Sequence, residues 1–178
     1  MPDAEQIKYP VGKFQPQESY TPTEIAALVN EIESLPAKLE AVVAGFSEQQ
    51  FDTPYREEGW TVRQVIHHMA DSHMNAYIRF KWSLTEDTPL IKAYFEKLWA
   101  ETPEVSAAPA LSVTLLKALH AKWVVLLKKL SATDFSKSFI HSETKKEVRL
   151  DRLTALYAWH GRHHLAHITS LKERMGWS

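Results

Sequence analysis

The sequence predicts an all-α fold, a four-helix bundle with a small accessory hairpin and an extended N-terminal arm, and three observations carry that reading. Four segments keep their apolar residues at the i, i+3, i+4 spacing of a half-buried helix. One link between them, from Glu86 to Pro109, is long enough for a crossover. No internal repeat or low-complexity tract interrupts the pattern. At 178 residues, 44% of them apolar and 24% charged, the chain supports one proper core and is short for two. Residues 1–20 are read as the arm and 21–178 as a single bundle domain.

The arm holds Pro2, Pro10, Gly12 and Pro16, a spacing that forbids a regular element. Thr21-Pro22-Thr23-Glu24 then opens the first long helix, with Thr21 as cap, Pro22 in the first turn and Glu24 closing a capping box. Ile25, Leu28, Val29, Ile32, Leu35, Leu39, Val42 and Val43 continue it to about Ala44, and Pro36 is expected to kink or break it. Ser47 to Gln50 repeats the capping pattern before Phe51, which predicts a short helical turn ended by Asp52-Thr53-Pro54. The second long helix starts at Trp60-Thr61-Val62-Arg63-Gln64, with Val62, Ile66, Met69, His73, Tyr77, Phe80 and Leu84 as its inner stripe. The Glu86 to Pro109 link contains three prolines and a helical turn at Phe95 to Trp99. Leu111, Leu115, Leu119, Trp123, Leu126, Leu127 and Leu130 mark the third helix, which Ser131 ends. Ser138-Phe139-Ile140 and Val148-Arg149-Leu150 flank a polar turn and predict the hairpin. Asp151 is expected to cap the last helix, which runs to Gly176.

Composition excludes several functions. The formal charge is −1 and no Lys or Arg run forms a basic patch, so neither nucleic acid nor a membrane is expected as a partner. Without cysteine there is no disulfide framework and no thiolate-held metal, which leaves imidazole and carboxylate as the strong ligands and fits a reducing cytoplasm. The sequence shows no basic region followed by an apolar run at Met1 to Glu5 and no stretch of eighteen uninterrupted apolar residues, so neither export nor membrane spanning is expected.

Histidine is where the chemistry concentrates. Seven of the nine histidines fall in two windows, His67, His68 and His73 in the second helix and His160, His163, His164 and His167 in the last. At about 100° per residue the last four share an arc of about 100°, on the same face as Leu153, Leu156, Tyr157, Ile168 and Leu171. These imidazoles therefore point into the core, where each ring nitrogen must find a partner or lose several kcal/mol. A metal ion supplies one. His160 and His164, at i and i+4, stand one turn apart and can bind a single ion. From the second helix either His67 or His68 can join them, since neighbouring positions differ by about 100°.

The chain resembles the DinB-like bundles, and within them the YfiT-type family. The matching pieces are Tyr9-Pro10-Val11-Gly12, Gly59-Trp60-Thr61-Val62-Arg63-Gln64-Val65-Ile66-His67-His68, Asp71-Ser72-His73-Met74-Asn75 with Tyr77-Ile78-Arg79-Phe80, and Trp159-His160 through His167-Ile168, so the resemblance spans nearly the whole chain. It implies a bundle holding one divalent ion, zinc or nickel, through one histidine of the second helix and an HxxxH pair of the last. Carried over residue by residue, it points to His68, His160 and His164. Three histidines and no fourth protein ligand leave a position for substrate, the pattern of a catalytic site.

The other candidates have plainer readings. His163 and His167 flank the ligands, supporting them from behind, facing substrate or simply packed; His73 belongs to the core stripe; His120 and His141 are surface residues by default. Asp71 stands one turn from His67 and His68, placed either to orient an imidazole or to face solvent. Trp60, Trp82, Trp99, Trp123 and Trp159 are core or interface aromatics. No catalytic side chain beyond the ligands is assigned. The residues between the HxxxH ligands are Gly161, Arg162 and His163, so the glutamate base of a zinc protease is missing, and the E-x-x-H pairs of di-iron bundles are absent as well. The resemblance implies either a transferase that joins a small-molecule thiol to an electrophile or a metal-dependent hydrolase, and the thiol reading is preferred because it needs no carboxylate base in the motif. A non-catalytic metal-binding scaffold for stress responses is the alternative from another class. The exposed tryptophans, the long link and the resemblance predict a homodimer.

Overall fold

The computed structural model describes residues 3–177; Pro2, one of the arm residues, lies outside them. A short helix, α1 (Ala4–Lys8), interrupts the arm that the sequence predicts to be extended throughout. Asp3 caps it, with Gln6 returning the bond. Beyond it Tyr9 to Tyr20 form no regular element.

Four long helices follow, α2 (Pro22–Val43), α4 (Val62–Thr85), α6 (Ala110–Leu127) and α8 (Leu150–Met175), with α3 (Glu48–Phe51) between the first two. The capping boxes at Thr21, Ser47 and Thr61 are all formed as the sequence predicts. Asp151 is not a cap: α8 begins at Leu150 with Arg149 in the cap position, two residues before Asp151, and the Asp151 carboxylate accepts from the Arg149 guanidinium at 2.7 Å. Nor does Pro36 break α2, which continues through it with Pro36 buried. Proline lacks the N–H that would engage the carbonyl four residues back, here that of Ile32. The His120 ring accepts that role, with Nδ1 at 2.7 Å from the Ile32 oxygen.

Helix α2 packs beside α6 and α8, and α4 beside the same two, so α2 lies diagonally across the bundle from α4 and α6 diagonally from α8. Two links therefore cross the bundle, where the sequence predicts one. The Glu86 to Pro109 link joins adjacent helices and holds β1 (Leu90–Ile91), α5 (Glu96–Trp99) and a 3-10 turn (Pro103–Ser106). After α6, α7 (Ala132–Ser136) leads into the hairpin β2 (Ser138–His141) and β3 (Glu147–Arg149), and β1 pairs parallel to β2 at its edge.

On α6 the inner face differs from the predicted one. Val113, Leu116, His120, Trp123, Val124 and Leu127 are buried, whereas Leu111 and Leu115 are exposed. The helix is apolar nearly all round, so its periodicity gives little contrast. Over its 18 residues it is long and apolar enough to cross a membrane by length and composition alone.

The core divides in two. One apolar cluster gathers Ile25, Val29 and Ile32 of α2 with Phe80, Trp123, Leu153 and Tyr157; the other gathers Leu35, Leu39, Val62, Ile66, Leu116, Ile168 and Leu171. Along each of α4, α6 and α8 histidines stand between the two clusters: His73 on α4, His120 on α6, and His160, His163, His164 and His167 on α8. A polar layer thus crosses the middle of the bundle.

Candidate metal centre

His68 comes from the first half of α4, His160 and His164 from the middle of α8. One ring nitrogen from each of the three lies within 4.8 Å of the others. His68 Nε2 and His160 Nε2 are 3.2 Å apart, and the ring centroids of the trio are separated by 4.4 to 5.2 Å at steep angles. An edge of about 3.3 Å separates two ligands of a tetrahedral ion bound at ~2.0 Å, so the spacing fits a divalent metal. The donor set, three buried or half-buried imidazoles without a carboxylate, fits zinc or a similar borderline ion. Burial pushes all three rings towards the neutral form in which imidazole ligates, His68 to about 4.

Local sequence explains how the trio is brought together. Gly161 is buried against α2, and a Cβ there would stand 2.5 Å from Leu35 Cδ2, so glycine is what lets α8 approach α2 this closely. Trp60, just before α4, tilts against the His68 ring with centroids 4.6 Å apart and stacks more distantly on His164. Ser72, one turn beyond His68, places Oγ 3.4 Å from His160 Nε2 and donates to the Tyr157 hydroxyl at 3.3 Å. Tyr94, from the link, adds a phenol whose pKa is raised by burial and by Tyr157 beside it.

His67 faces away. Its Nδ1 lies 2.7 Å from Ser112 Oγ and its Nε2 3.2 Å from the Ala107 carbonyl. His73 lies in the core as predicted but is bonded to His160, with His73 Nε2 3.1 Å from His160 Nδ1. His120 is only 1% exposed and joins the histidine layer, against its reading as a surface residue. His141 is half-exposed. Among the described residues the Asp71 carboxylate bonds no histidine. Its pKa is raised to about 6 by burial and, secondarily, by Glu104.

A second grouping, His163, His164 and His167, also has ring nitrogens within 4.8 Å of one another, and the Nδ1 atoms of all three are buried without a partner among the described residues. The arm covers it. His167 Nε2 donates to the Lys8 carbonyl at 3.1 Å, Trp159 stacks on His163 and donates to the Gly12 carbonyl at 3.1 Å, and Tyr55 stacks on His167 at 3.9 Å. This gives the Tyr9-Pro10-Val11-Gly12 stretch its structural meaning. A cavity of about 360 Å³ lined by Tyr20, Ile25, Phe135 and Asp151 touches none of these histidines.

Bundle and histidine layer together define a class, the four-helix bundles with a metal-competent core. The family follows from sequence: residues 13–168 match the DinB superfamily model, and the chain belongs to that superfamily. It is 48% identical over 173 residues to a Bacillus subtilis (strain 168) protein named "Putative metal-dependent hydrolase YfiT", covering 97% of each chain. A Bacillus cereus (strain 03BB102) protein named "Putative metal-dependent hydrolase" is 48% identical over 171 residues, covering 96% of this chain and 98% of that one. The solved structure of YfiT, described as a probable metal-dependent hydrolase with an unusual four-helix bundle topology, superposes with a TM-score of 0.95 over 97% of this chain and 99% of that one.

Proposed function

We propose that His68, His160 and His164 hold one divalent ion, zinc or nickel, and that the site transfers a low-molecular-weight thiol to an electrophilic small molecule. The observation that carries this reading is an imidazole-only cluster with, among the described residues, no carboxylate bonded to it, although Asp71 lies one turn along α4. A divalent ion held there acts as a Lewis acid, lowering the pKa of a thiol or water offered to it and polarising an electrophile. A thiol starts near pKa 8.5 and needs little help to ionise, whereas water starts at 15.7 and gains most from a nearby base. The residues at hand suit the first task. Trp60 walls the cluster, Ser72 and Tyr157 offer hydroxyls to orient a substrate, and the apolar halves on either side keep the layer poor in water.

Hydrolysis is the second reading, and the names of the relatives favour it. One assay separates the two. Purified protein is loaded with zinc or nickel and offered a panel of electrophiles with and without small thiols, before and after chelation. Thioether formation that needs both thiol and metal supports transfer. Cleavage that proceeds without thiol replaces it with hydrolysis. Stoichiometric metal with neither activity leaves a binding scaffold.

The proposal extends to assembly as a homodimer. Trp82, Phe95, Leu98 and Trp99 form an exposed apolar face on α4 and the link that a second copy would cover. Sedimentation at micromolar concentration tests this, and a monomer refutes it.

A further inference from the structure

Behind His160, on the side away from His68, three rings and one backbone oxygen stand in a line. His120 Nδ1 lies 2.7 Å from the Ile32 carbonyl oxygen, His120 Nε2 lies 2.9 Å from His73 Nδ1, and His73 Nε2 lies 3.1 Å from His160 Nδ1. His73 is 0% exposed and His120 1%. Trp123 and Tyr157 stand edge-on against the two rings and hold their planes.

The direction of every bond in this line follows from its last member. A carbonyl only accepts, so the proton of His120 sits on Nδ1. A neutral imidazole has one N–H, which leaves His120 Nε2 with a lone pair, and the proton between it and His73 must come from His73 Nδ1. The same step repeated puts the proton of His160 on Nδ1 and leaves the lone pair on Nε2, the atom that faces His68. An extra proton on either inner ring would set N–H against N–H inside a core that already penalises charge.

The origin of the line is Pro36. Because proline has no N–H, the Ile32 carbonyl lacks the helical donor that residue 36 would ordinarily supply, and it is turned over to His120 instead. A residue expected to damage α2 is thus the one that leaves an acceptor for the histidine layer.

We infer that His73 and His120 are positioning residues which, anchored on the carbonyl that Pro36 frees, fix His160 as the Nδ1–H tautomer and so present its Nε2 lone pair to the cluster. Metal-ligating histidines are commonly held this way by one acceptor, and loss of it weakens binding by about 10–100-fold. Here the acceptor is a second histidine oriented by a third. The inference rests on the metal reading for its purpose, though not for its first test.

That test is long-range ¹H–¹⁵N correlation NMR of the ion-free protein, which reports the protonated nitrogen of each ring. His73, His120 and His160 should all be Nδ1–H; an Nε2–H tautomer at any of them overturns the line. The second test is zinc affinity by competition with a chromogenic chelator. His120→Leu should bind zinc about 10–100-fold more weakly than wild type with an unchanged helical spectrum. His120→Gln should stay within about threefold of wild type, because its amide N–H can donate to Ile32 while its oxygen accepts from His73. Equal affinity in wild type and His120→Leu, or equal loss in both variants, overturns the inference. Wild-type protein that binds neither zinc nor nickel removes the metal reading, and the tautomers alone then decide whether the line exists.

Discussion

The α8 helix carries the same HxxxH spacing twice, His160 with His164 and His163 with His167, and the two pairs keep different company. The first pair meets His68 from α4, and the rear nitrogen of His160 is bonded to His73. The second is roofed by the N-terminal arm and by aromatic rings, and the Nε2 of His167 already bonds the Lys8 carbonyl. Identical spacing therefore does not give identical surroundings: the first pair meets a histidine from another helix, and the second gathers, among the described residues, only with His164 of its own helix.

Metal content tests this contrast with the largest expected effect. His160→Ala or His164→Ala should take the protein from about one divalent ion per chain to near zero by elemental analysis, with activity lower by orders of magnitude. His163→Ala should keep its ion. Loss of the ion in His163→Ala together with full occupancy in His160→Ala would invert the assignment and move the metal to the arm-covered group. His68→Ala should lose the ion and keep its helical circular-dichroism spectrum, since the apolar clusters supply most of the burial.

Stability should follow the reverse order. His167→Ala removes a stacked ring and a buried bond to the arm, and should cost about 1–3 kcal/mol in urea unfolding of the ion-free protein. Gly161→Ala should cost about 1–3 kcal/mol, because Leu35 must yield to the new methyl group. An unchanged midpoint would mean that α2 and α8 have room to part.

Acid should act on both groups. Burial holds His120 and His163 down to about 4 and His167 to about 3, whereas the unfolded rings titrate near 6.5. Between those values the unfolded chain binds more protons. Stability of the ion-free protein should be complete above pH 6.5 and fall as pH drops towards 4, by about 1.4 kcal/mol per pH unit for each such ring. A melting temperature flat from pH 7 to 5 would contradict this. Asp71 has the opposite sign, being raised to about 6, so its ionisation costs stability as pH rises through that range. Asp71→Asn should give a small gain at pH 7 and none at pH 4, the smallest effect of the set.

Helix starts were legible because capping is local: Thr21, Ser47 and Thr61 each find their partner three residues on. The inward turn of the α8 histidines was legible for the same reason, since periodicity on one helix needs no knowledge of its neighbours. His120 was not legible. It sits on a helix with apolar residues on every side, and its partners, the Ile32 carbonyl and His73, lie 88 and 47 residues away in sequence. Pro36 misled for a related reason, because its cost to α2 is local and the acceptor it frees is used by another helix. Asp151 follows the local rule for a cap, but Arg149 engages it first.

The order in which the chain is made bears on when this centre can exist. His68 and His160 are separated by 92 residues, and the arm that roofs α8 lies 147 residues before Trp159. During synthesis the arm, α2, α4 and α6 all emerge before either HxxxH pair, so His68, His73 and His120 are made before any α8 histidine can meet them. Any ion taken up before α8 docks would be held by His68 with whatever else is near, and weakly. On the proposed ligand set, metal insertion would therefore come late, and a chain truncated before α8 should hold no stoichiometric divalent ion.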